Sequence, residues 1–349
     1  MLKKLWYESF KIFLKINLHF YTKKIHIIGQ ENIPKKGAVL FTANHPNALM
    51  DPLYIAAFNK REINFLVRAD VFKKSLIKKI FATLNMMPIY RMRDGRSSLS
   101  NNQEIFEKCY QILNQQKALL IFPQGGHSRE RTVPQLSKGF TRILFGALEV
   151  NPDIEIQVIP VGITYQNSTQ YPSKVAIQYG TPIAAHNIIK KNETRVATET
   201  LKKEVRDQLK LLCINIPMDD NYRKTLQMLN DASVNYTDVS TVNEVIQSHQ
   251  QLPEKPKKRS ISDLLYLPTY LNLLFPFLAW KLLAKNIKQI EFVDTFKFGI
   301  GVFLVPVFLV LQSVILGSLT SVEIGVIYFI ASVLLLLIYT KTASTPTES

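Results

Sequence analysis

Residues 44 to 52 read Asn-His-Pro-Asn-Ala-Leu-Met-Asp-Pro and follow a short apolar run. The stretch places the imidazole of His45 six positions before the carboxylate of Asp51. Six positions along a helix rotate a side chain by about 240°, so the two groups can meet only across a turn. Pro46 and Asn47 are suitable turn residues, and the final Asp-Pro pair predicts a helix N-cap followed by the first helical position. The pair is either a general base with its orienting acid or a loop histidine beside a helix cap.

Around this turn, short apolar runs alternate with longer amphipathic stretches from residue 25 to residue 215. Such alternation predicts an α/β domain. The predicted strands are 25–28, 38–42, 64–67, 87–91, 118–122, 156–165 and 174–179. The predicted helices lie near 52–58, 71–84, 97–115, 137–149 and 195–212.

Two further places in this domain carry polar groups after a predicted strand. The strand at 87–91 ends in Arg91, whose guanidinium either binds phosphate bidentately or stays solvated or paired with a carboxylate. The second place is residues 121 to 129, Ile-Phe-Pro-Gln-Gly-Gly-His-Ser-Arg, where a predicted buried strand is followed by a pair of glycines. Backbone amides beside Gly125 and Gly126 can approach an anion closely, and the same pattern also occurs in ordinary turns.

The 349 residues include 43 Lys and Arg against 27 Asp and Glu, a formal net charge of +16. This charge suits nucleic acid, an anionic membrane surface or phosphorylated substrates. Nucleic acid is disfavoured because the sequence shows no recognisable nucleic-acid-binding module and carries long apolar segments. Cys109 and Cys213 are too few for a disulfide framework, which favours a reducing compartment, and no residue cluster predicts a metal site.

Residues 1 to 24 predict an amphipathic helix. Charged residues recur at spacings of three and four, at Lys4, Glu8, Lys11 and Lys15, and apolar residues fill the rest of the circumference. The pattern fits a helix lying in a membrane interface or one packed on the core of its own domain. A cleaved signal peptide is not expected, because lysines interrupt the apolar stretch and no small-residue cleavage site follows.

Three apolar segments, at 261–284, 298–319 and 324–340, follow a basic linker at 253–259. The second and third are 22 and 17 residues long, close to the roughly 20 that a helix needs to cross a bilayer. The first contains charged residues and two prolines, and lysines flank it on both sides. The positive-inside rule therefore predicts that the first segment re-enters and that the other two span the membrane.

The expected organisation has four parts. An interfacial helix (1–24) precedes the α/β domain (25–215), and a membrane region (261–349) ends the sequence. Residues 216–260 lack glycine and are rich in Asn, Gln, Asp and Thr. This composition predicts a partly helical polar connector that ends in the basic linker.

Four ordered blocks resemble the phospholipid and glycerol acyltransferase family, the PlsC-like lysophospholipid acyltransferase superfamily. The blocks lie at 44–52, 88–91, 122–125 and 158–162. The segment 65–72 also resembles a region in which the family often has lysine at the position of Arg68. The resemblance covers about residues 5 to 215. Together with the patterns above, it implies an α/β acyltransferase domain with an N-terminal amphipathic helix and C-terminal transmembrane helices.

The sequence departs from the family pattern at two points. Five residues separate His45 from Asp51, where the family usually has four. The longer spacing resembles the glycerol-3-phosphate acyltransferase-like branch, which also carries C-terminal membrane segments. Gln124 stands where the family normally has glutamate. Glutamine keeps one carbonyl acceptor and loses the negative charge, so it retains a hydrogen-bonding role and loses an electrostatic one.

The resemblance implies that His45 takes the proton of an acceptor hydroxyl while that hydroxyl attacks an acyl thioester. Asp51 would hold the ring tautomer and stabilise the imidazolium. The implied substrate-binding residues are Arg68, Arg91, Gln124, Gly125, Gly126 and Ser128. The arginines would bind the acceptor's phosphate and the glutamine its hydroxyls. The amides of the glycine-rich loop would line the acceptor's polar end or the oxyanion.

The expected reaction moves a fatty acyl group from acyl-CoA or acyl-carrier protein to glycerol 3-phosphate in phospholipid biosynthesis, without a metal or other cofactor. A 1-acylglycerol 3-phosphate (lysophosphatidate) or other lyso-lipid acceptor is the alternative. A non-catalytic membrane scaffold that keeps the fold is a rival of a different class, suggested by Gln124. The expected partners are membrane lipids, the thioester donor and a glycerol 3-phosphate or lysophospholipid acceptor, and no nucleic acid. The expected location is the cytoplasmic (inner) membrane, with the catalytic domain facing the cytoplasm.

Overall fold

One mixed β-sheet lies at the centre of the chain. The computed structural model describes residues 2–72, 75–90, 102–255 and 261–345. Within these residues the strands are β1 (Lys24–Ile28), β2 (Ala38–Ala43), β3 (Ile63–Arg68), β4 (Met86–Ile89), β5 (Ala118–Ile121), β6 (Ile156–Tyr165), β7 (Lys174–Tyr179) and β8 (Ile183–Ala184). Their order is β1-β7-β6-β2-β5-β3-β4, and β8 pairs with β6. The seven strands predicted from the sequence are all present, with small shifts at their ends.

The direction of the strands places the predicted site residues at one edge. Strands β2, β3, β4, β5 and β6 run parallel to one another, whereas β7 and β8 run antiparallel to β6. The carboxyl ends of β2 to β6 therefore lie at the same edge of the sheet. In α/β sheets this is the edge at which ligands bind.

Helices cover both faces of the sheet. The helices of this part are α1 (Leu2–Tyr21), α2 (Met50–Phe58), α3 (Ser75–Thr83), α4 (Asn102–Asn114), α5 (Gly139–Val150), α6 (Ala185–Lys191) and α7 (Thr194–Leu212). Alternate side chains of β2 point to opposite faces. Phe41 packs with residues of α1 and α2, while Leu40 packs with residues of α4, α5 and α7. This alternation gives the sheet two apolar cores, as expected for an α/β domain.

Two helices and a small third core follow the domain. They are α8 (Tyr222–Asp231) and α9 (Val239–Gln247). The core contains Ile214, Ile216, Leu229, Tyr236, Val239, Val242 and Ile246. Helical structure here agrees with the predicted partly helical connector, but its buried apolar face was not predicted. Polar residues lie between the apolar ones and obscure the helical periodicity of the apolar residues in the sequence.

Helix α1 presents apolar residues to both the protein and its surroundings. Tyr7, Leu14 and Leu18 are buried against the domain. On the opposite side, large apolar side chains are exposed at Leu2, Leu5, Trp6, Ile12, Phe13, Ile16 and Phe20. One face therefore packs on the domain, as one interpretation of the sequence pattern predicts. The exposed apolar face is suited to a membrane interface, and that interpretation stays a prediction.

The membrane region contains two apolar helices that are long enough to cross a bilayer, Ile290–Leu319 and Val322–Thr342. The first comprises a 3₁₀ turn, α12 (Val293–Gly299), a π-helical turn (Ile300–Leu304) and α13 (Val305–Leu319), and the second is α14 (Val322–Thr342). Before them, α10 (Ile261–Asn272) and α11 (Leu274–Ala284) meet at an 88° bend, which is either a broken span or a re-entrant loop. The two helices indicate membrane association.

One local expectation needs correction. Helix α2 begins at Met50 with Leu49 at the N-cap position, so the prediction of Asp51 as N-cap was wrong. The helix starts two residues earlier than expected, and the carboxylate of Asp51 accepts a hydrogen bond from the backbone N–H of Asn47 in the turn before it. The short elements β8 and α6 were also missed, because two and seven residues give too little periodicity to recognise.

Candidate active site

The loop after β2 is fixed at its first residue. The side-chain NH₂ of Asn44 donates to the carbonyl of Ile163 at 2.9 Å, and its Oδ1 accepts from the N–H of the same residue at 2.7 Å. Asn44 is buried. This two-point attachment to β6 determines where the following residue, His45, leaves the sheet.

A tight turn brings Asp51 back to His45. Ala48 lies at the centre of the turn with φ of +34°, a conformation that alanine rarely adopts. The N–H of Met50 donates to the carbonyl of Asn47 at 2.9 Å. As a result, Nδ1 of His45 lies 2.7 Å from Oδ2 of Asp51. The structure therefore joins the imidazole and the carboxylate through a turn, as the sequence predicts.

Asp51 is fully buried and accepts several hydrogen bonds. Its Oδ2 also accepts from the backbone N–H of Asn47 at 2.8 Å, and its Oδ1 accepts from the hydroxyl of Tyr165 at 2.8 Å. Burial raises the pKa of Asp51, while the donors on Asn47 and Tyr165 act in the opposite direction because they stabilise the carboxylate. The three donors hold the carboxylate in one orientation toward His45.

The ring of His45 is held between two other rings. It stacks on Phe122 at 3.7 Å between centroids and 11° between planes, and the edge of His127 approaches it at 4.2 Å. Burial, and then the positive charge of Arg68, lowers the pKa of His45. The imidazole is therefore neutral at physiological pH. Because a carboxylate accepts the Nδ1 proton, Nε2 is the basic nitrogen.

The glycine-rich loop after β5 fastens the backbone of His45 on both sides. Oε1 of Gln124 accepts from the N–H of His45 at 3.1 Å, and the N–H of Ser128 donates to the carbonyl of His45 at 3.1 Å. The N–H of Gly125, whose φ is +74°, donates to Phe122 within the loop. In this arrangement Gln124 and Ser128 position the histidine, and their binding of substrate stays a prediction.

A cavity of about 830 Å³ opens at this edge of the sheet. His45, Gly125, Gly126 and His127 line one side of it. Apolar walls come from Phe65, Leu66, Val67, Phe81, Phe106 and Ile121, and polar groups from Arg68, Asn102, Gln103 and Arg142. A cavity with apolar walls and a cationic portion suits a ligand that has both a hydrocarbon chain and an anionic group.

The three arginines considered for this site differ in how the structure describes them. Arg68, at the end of β3, lines the cavity, and its Nη1 lies 3.3 Å from Oε1 of Gln289. Arg91 lies outside the described residues, although its neighbour Tyr90 lines the cavity. Arg142, on α5, lines the cavity as well, with its guanidinium 5.0 Å from the ring of Phe106. Sequence analysis missed Arg142, whose sequence signal is a cation close to a helix N-terminus, where cations are disfavoured.

The first apolar helix of the membrane region reaches the same site. Phe292 and Thr295 line the cavity, and the side-chain NH₂ of Asn47 donates to Oδ2 of Asp294 at 2.8 Å. The sequence contained no direct signal for Tyr165 or Asp294, because they lie 114 and 243 positions from Asp51 in the chain. An acidic residue just before an apolar helix is the nearest clue to Asp294.

The arrangement can perform general-base chemistry. A neutral imidazole backed by an oriented carboxylate removes a proton from a hydroxyl and returns it to a leaving group. The base lies on a cavity that is large enough for a substrate and contains cationic side chains. Residues 24 to 164, which include His45, Asp51 and the glycine-rich loop after β5, match the model of the Acyltransferase family.

Residues 24 to 164 are an Acyltransferase domain.

Parts of the chain match relatives named for glycerol 3-phosphate and relatives named for its 1-acyl derivative. A probable 1-acyl-sn-glycerol-3-phosphate acyltransferase of Mycoplasma pneumoniae is 30% identical over 143 residues, which are 39% of this chain and 51% of that protein. Glycerol-3-phosphate O-acyltransferase 2 of Saccharomyces cerevisiae is 27% identical over 121 residues, which are 34% of this chain and 16% of that protein. The chain thus spans about half of the first relative and less of the second.

A longer match is the 1-acyl-sn-glycerol-3-phosphate acyltransferase of Borreliella burgdorferi. It is 26% identical over 202 residues, which are 56% of this chain and 74% of that protein. The acyltransferase domain is therefore similar both to enzymes named for glycerol 3-phosphate and to enzymes named for its 1-acyl derivative.

Proposed function

We propose that this chain is a membrane-bound O-acyltransferase that transfers a fatty acyl group from acyl-CoA or acyl-carrier protein to glycerol 3-phosphate. The observation that carries the proposal is the buried His45–Asp51 pair, with 2.7 Å between Nδ1 and Oδ2, on a cavity that also contains Arg68. The Acyltransferase match adds the reaction class. The five-residue spacing within the pair favours glycerol 3-phosphate as the acceptor.

In the proposed reaction, Nε2 of His45 takes the proton of the acceptor hydroxyl while the hydroxyl oxygen attacks the thioester carbonyl carbon. Collapse of the tetrahedral intermediate forms the ester bond and breaks the carbon–sulfur bond. The imidazolium, stabilised by Asp51, then returns the proton to the thiolate. The acceptor oxygen is the nucleophile, so the acyl group passes directly from donor to acceptor without an acyl-enzyme. All of this chemistry uses the chain's own side chains and requires no cofactor.

Arg68 and Arg91 are the proposed phosphate ligands, and Arg142 lines the cavity together with Arg68. A guanidinium binds phosphate through two parallel N–H donors. Gly126 lines the cavity and is the proposed source of a backbone donor for the acceptor or the oxyanion. Gln124 and Ser128 support the reaction by holding the backbone of His45.

The second candidate acceptor is 1-acylglycerol 3-phosphate. The names of the Mycoplasma and Borreliella relatives support it, and the apolar walls of the cavity offer room for its acyl chain beside that of the donor. In either case the acyl chains explain why the domain is attached to a membrane. We propose that the domain lies on the cytoplasmic side of the cytoplasmic membrane, because lysines flank the bent pair of helices.

The test is an acceptor panel with the full chain in membranes. Radiolabelled palmitoyl-CoA and palmitoyl-acyl-carrier protein are each supplied with glycerol 3-phosphate, 1-acylglycerol 3-phosphate or lysophosphatidylcholine, and the lipid products are separated. Label in 1-acylglycerol 3-phosphate supports the proposal, and label in phosphatidate identifies the second candidate. Absence of acceptor-dependent label in every lane would contradict an acyltransferase function.

A further inference from the structure

Asp294 connects the membrane region to the catalytic turn. It lies in α12, within the first apolar helix, and is 3% exposed. A carboxylate in such a position is unfavourable unless hydrogen bonds satisfy it. The side-chain NH₂ of Asn47 donates to its Oδ2 at 2.8 Å.

The other oxygen of Asp294 is also occupied. The hydroxyl of Tyr21, at the end of α1, donates to Oδ1. Tyr21 is in turn held by ring contacts with Phe298 at 5.2 Å and Tyr171 at 4.9 Å. The N-terminal helix, the membrane helix and the catalytic turn therefore meet at one buried carboxylate.

Asn47 carries this attachment to the catalytic pair. It is fully buried, and its backbone N–H donates to the same oxygen of Asp51 that accepts from His45. The peptide that follows it leads into Ala48, whose positive φ is unfavourable for alanine. A turn of this kind persists only when surrounding contacts hold it, and the bond from Asn47 to Asp294 is such a contact.

We propose that Asp294 is a positioning residue, through which the membrane region holds the His45–Asp51 pair in its active geometry. The expected effect of Asp294 on the rate of acyl transfer rests on the proposed function. Without the carboxylate, the amide of Asn47 would be buried without its acceptor, and the turn would relax. Asp51 would then lose the fixed N–H donor that orients it, and proton transfer would slow while the substrate cavity stayed in place.

The kinetic test compares D294A and D294N with wild type in the full chain. D294A is expected to lower kcat by about 10- to 100-fold, the usual effect of losing a supporting hydrogen bond, with KM for donor and acceptor within about 2-fold. D294N keeps an acceptor oxygen for Asn47, and its NH₂ can donate to the hydroxyl of Tyr21, so it should restore most of kcat. The matched control is E323Q, since Glu323 is an exposed carboxylate of the same region. A D294A kcat equal to that of wild type would overturn the proposal.

A second measurement does not depend on turnover. Thermal unfolding of N47A, D294A and the double variant forms a double-mutant cycle. The double variant should lose less stability than the sum of the single variants, because both remove the same bond. Additive losses would overturn the proposal even if acyl transfer is confirmed. Coupled losses together with an inactive wild type would instead count against the proposed function alone.

A second cavity, of about 430 Å³, carries an independent inference. It lies between α1, the bent pair α10–α11 and the two apolar helices, and its lining is mainly aromatic and aliphatic. The π-helical turn contributes Ile300, Gly301 and Val302 to the lining. Such turns are frequent at functional sites. Thr269 also lines the cavity, and its hydroxyl is buried with no hydrogen-bond partner among the residues that the structure describes.

The geometry points to a binding site for one glycerophospholipid of the surrounding bilayer, with an acyl chain in the cavity and an ester carbonyl on Thr269. The elements around the cavity are those that would lie in the membrane, where lipid is the available apolar ligand. An unfilled apolar space loses dispersion contacts on every side, so a chain that fills it is favoured. The hydroxyl then gains the acceptor that it lacks.

The test uses the full chain purified in mild detergent and analysed by native mass spectrometry. A cavity-filling variant, G301L, should lose the phospholipid that wild type retains, because Gly301 lines the cavity and a Cβ there has a single neighbour within 4 Å, the Tyr21 ring at 3.7 Å. G299L is the matched control, since the same substitution at Gly299 meets nothing within 4 Å. A second variant, T269V, keeps the volume of the side chain and removes the hydroxyl, and it should also weaken retention of the phospholipid. This variant tests the assignment if G301L fails to fold. Equal retention in wild type, G301L and T269V, or none in wild type, would overturn the assignment.

Discussion

The buried position of His45 determines how its imidazole titrates. Removal from water disfavours the charged ring, and Arg68 adds a positive charge nearby, so the pKa falls below its ordinary value of 6.5. The titratable or charged neighbours are Asp51, His127 and Arg68. A base with a lowered pKa stays neutral, and so ready to accept a proton, down to lower pH.

The first prediction concerns the acid limb of the pH–rate profile. As pH falls through the pKa of His45, the ring is protonated and can no longer take the acceptor's proton. The acid limb of kcat/KM, which reports the free enzyme, should therefore have its midpoint below about pH 6.5. A midpoint above that value, with the fold intact by circular dichroism, would contradict the burial argument.

The second prediction concerns Gln124. Its Oε1 accepts the N–H of His45, and a glutamate at this position can do the same. Q124E should therefore keep kcat within about 3-fold, whereas Q124L leaves the N–H without its acceptor and should lower kcat by about 10-fold or more. Steady-state rates of the two variants decide this. Equal rates for Q124L and wild type would show that the bond is unimportant, and they would reopen the question raised by the missing glutamate.

At this scale the sequence predicted the contact between His45 and Asp51 but not the side chains that support it. His45 and Asp51 are six positions apart, so a turn between them follows from local chain geometry. Tyr165 and Asn44 contact the pair or its loop through distant strands. Such contacts depend on strand order, which a single sequence does not encode locally.

Among the elements, β6 and α7 pack closely together at the fourth block. A Cβ on Gly162 would lie 2.1 Å from the carbonyl oxygen of Leu212, the last residue of α7. The block therefore owes its glycine to packing. Because β6 also carries Ile163, to which Asn44 is bound, this packing supports the loop of His45.

The third prediction follows from that contact. G162A must displace α7 from β6 and should destabilise the protein by about 1–3 kcal/mol. The control is G139A, where the nearest atom lies 3.8 Å from the new Cβ, and the change should stay within about 0.5 kcal/mol. Thermal unfolding of the detergent-solubilised chain measures both. Equal Tm values for G162A and G139A would mean that the helix moves freely.

Long elements were predicted better than short ones. Strands such as Ile156–Tyr165 and helices such as Thr194–Leu212 have strong periods, and their predicted ends agree within one residue. The start of α2 was misplaced because the preceding turn closes on Met50 instead of Asp51. Side chains deep in the site override the local preference for an Asp N-cap.

At the scale of the whole molecule, the distribution of lysines along the chain bears on its orientation in the membrane. Lys285, Lys288 and Lys297 follow the bent pair, and Lys341 lies near the end of α14, whereas the loop between the two apolar helices has no lysine or arginine. Under the positive-inside rule, the proposed orientation would put the acyltransferase domain and these lysines on the cytoplasmic side. The loop near Thr320 would then face outward.

The fourth prediction tests this orientation by cysteine labelling. Cys109 and Cys213 are buried and serve as an unreactive background. In intact cells, a membrane-impermeant maleimide should label T320C and should leave S248C unlabelled until the membrane is opened. Labelling of S248C in sealed cells would place the domain outside and contradict the proposed location.

The most direct measurement of the central claim is single-turnover acyl transfer by wild type and H45A in the same membranes. Loss of the base should slow transfer from a radiolabelled acyl thioester to glycerol 3-phosphate by about 100-fold or more. The amount of inserted protein should be unchanged. Transfer by H45A at a rate close to that of wild type would contradict the assignment of His45 as the catalytic base.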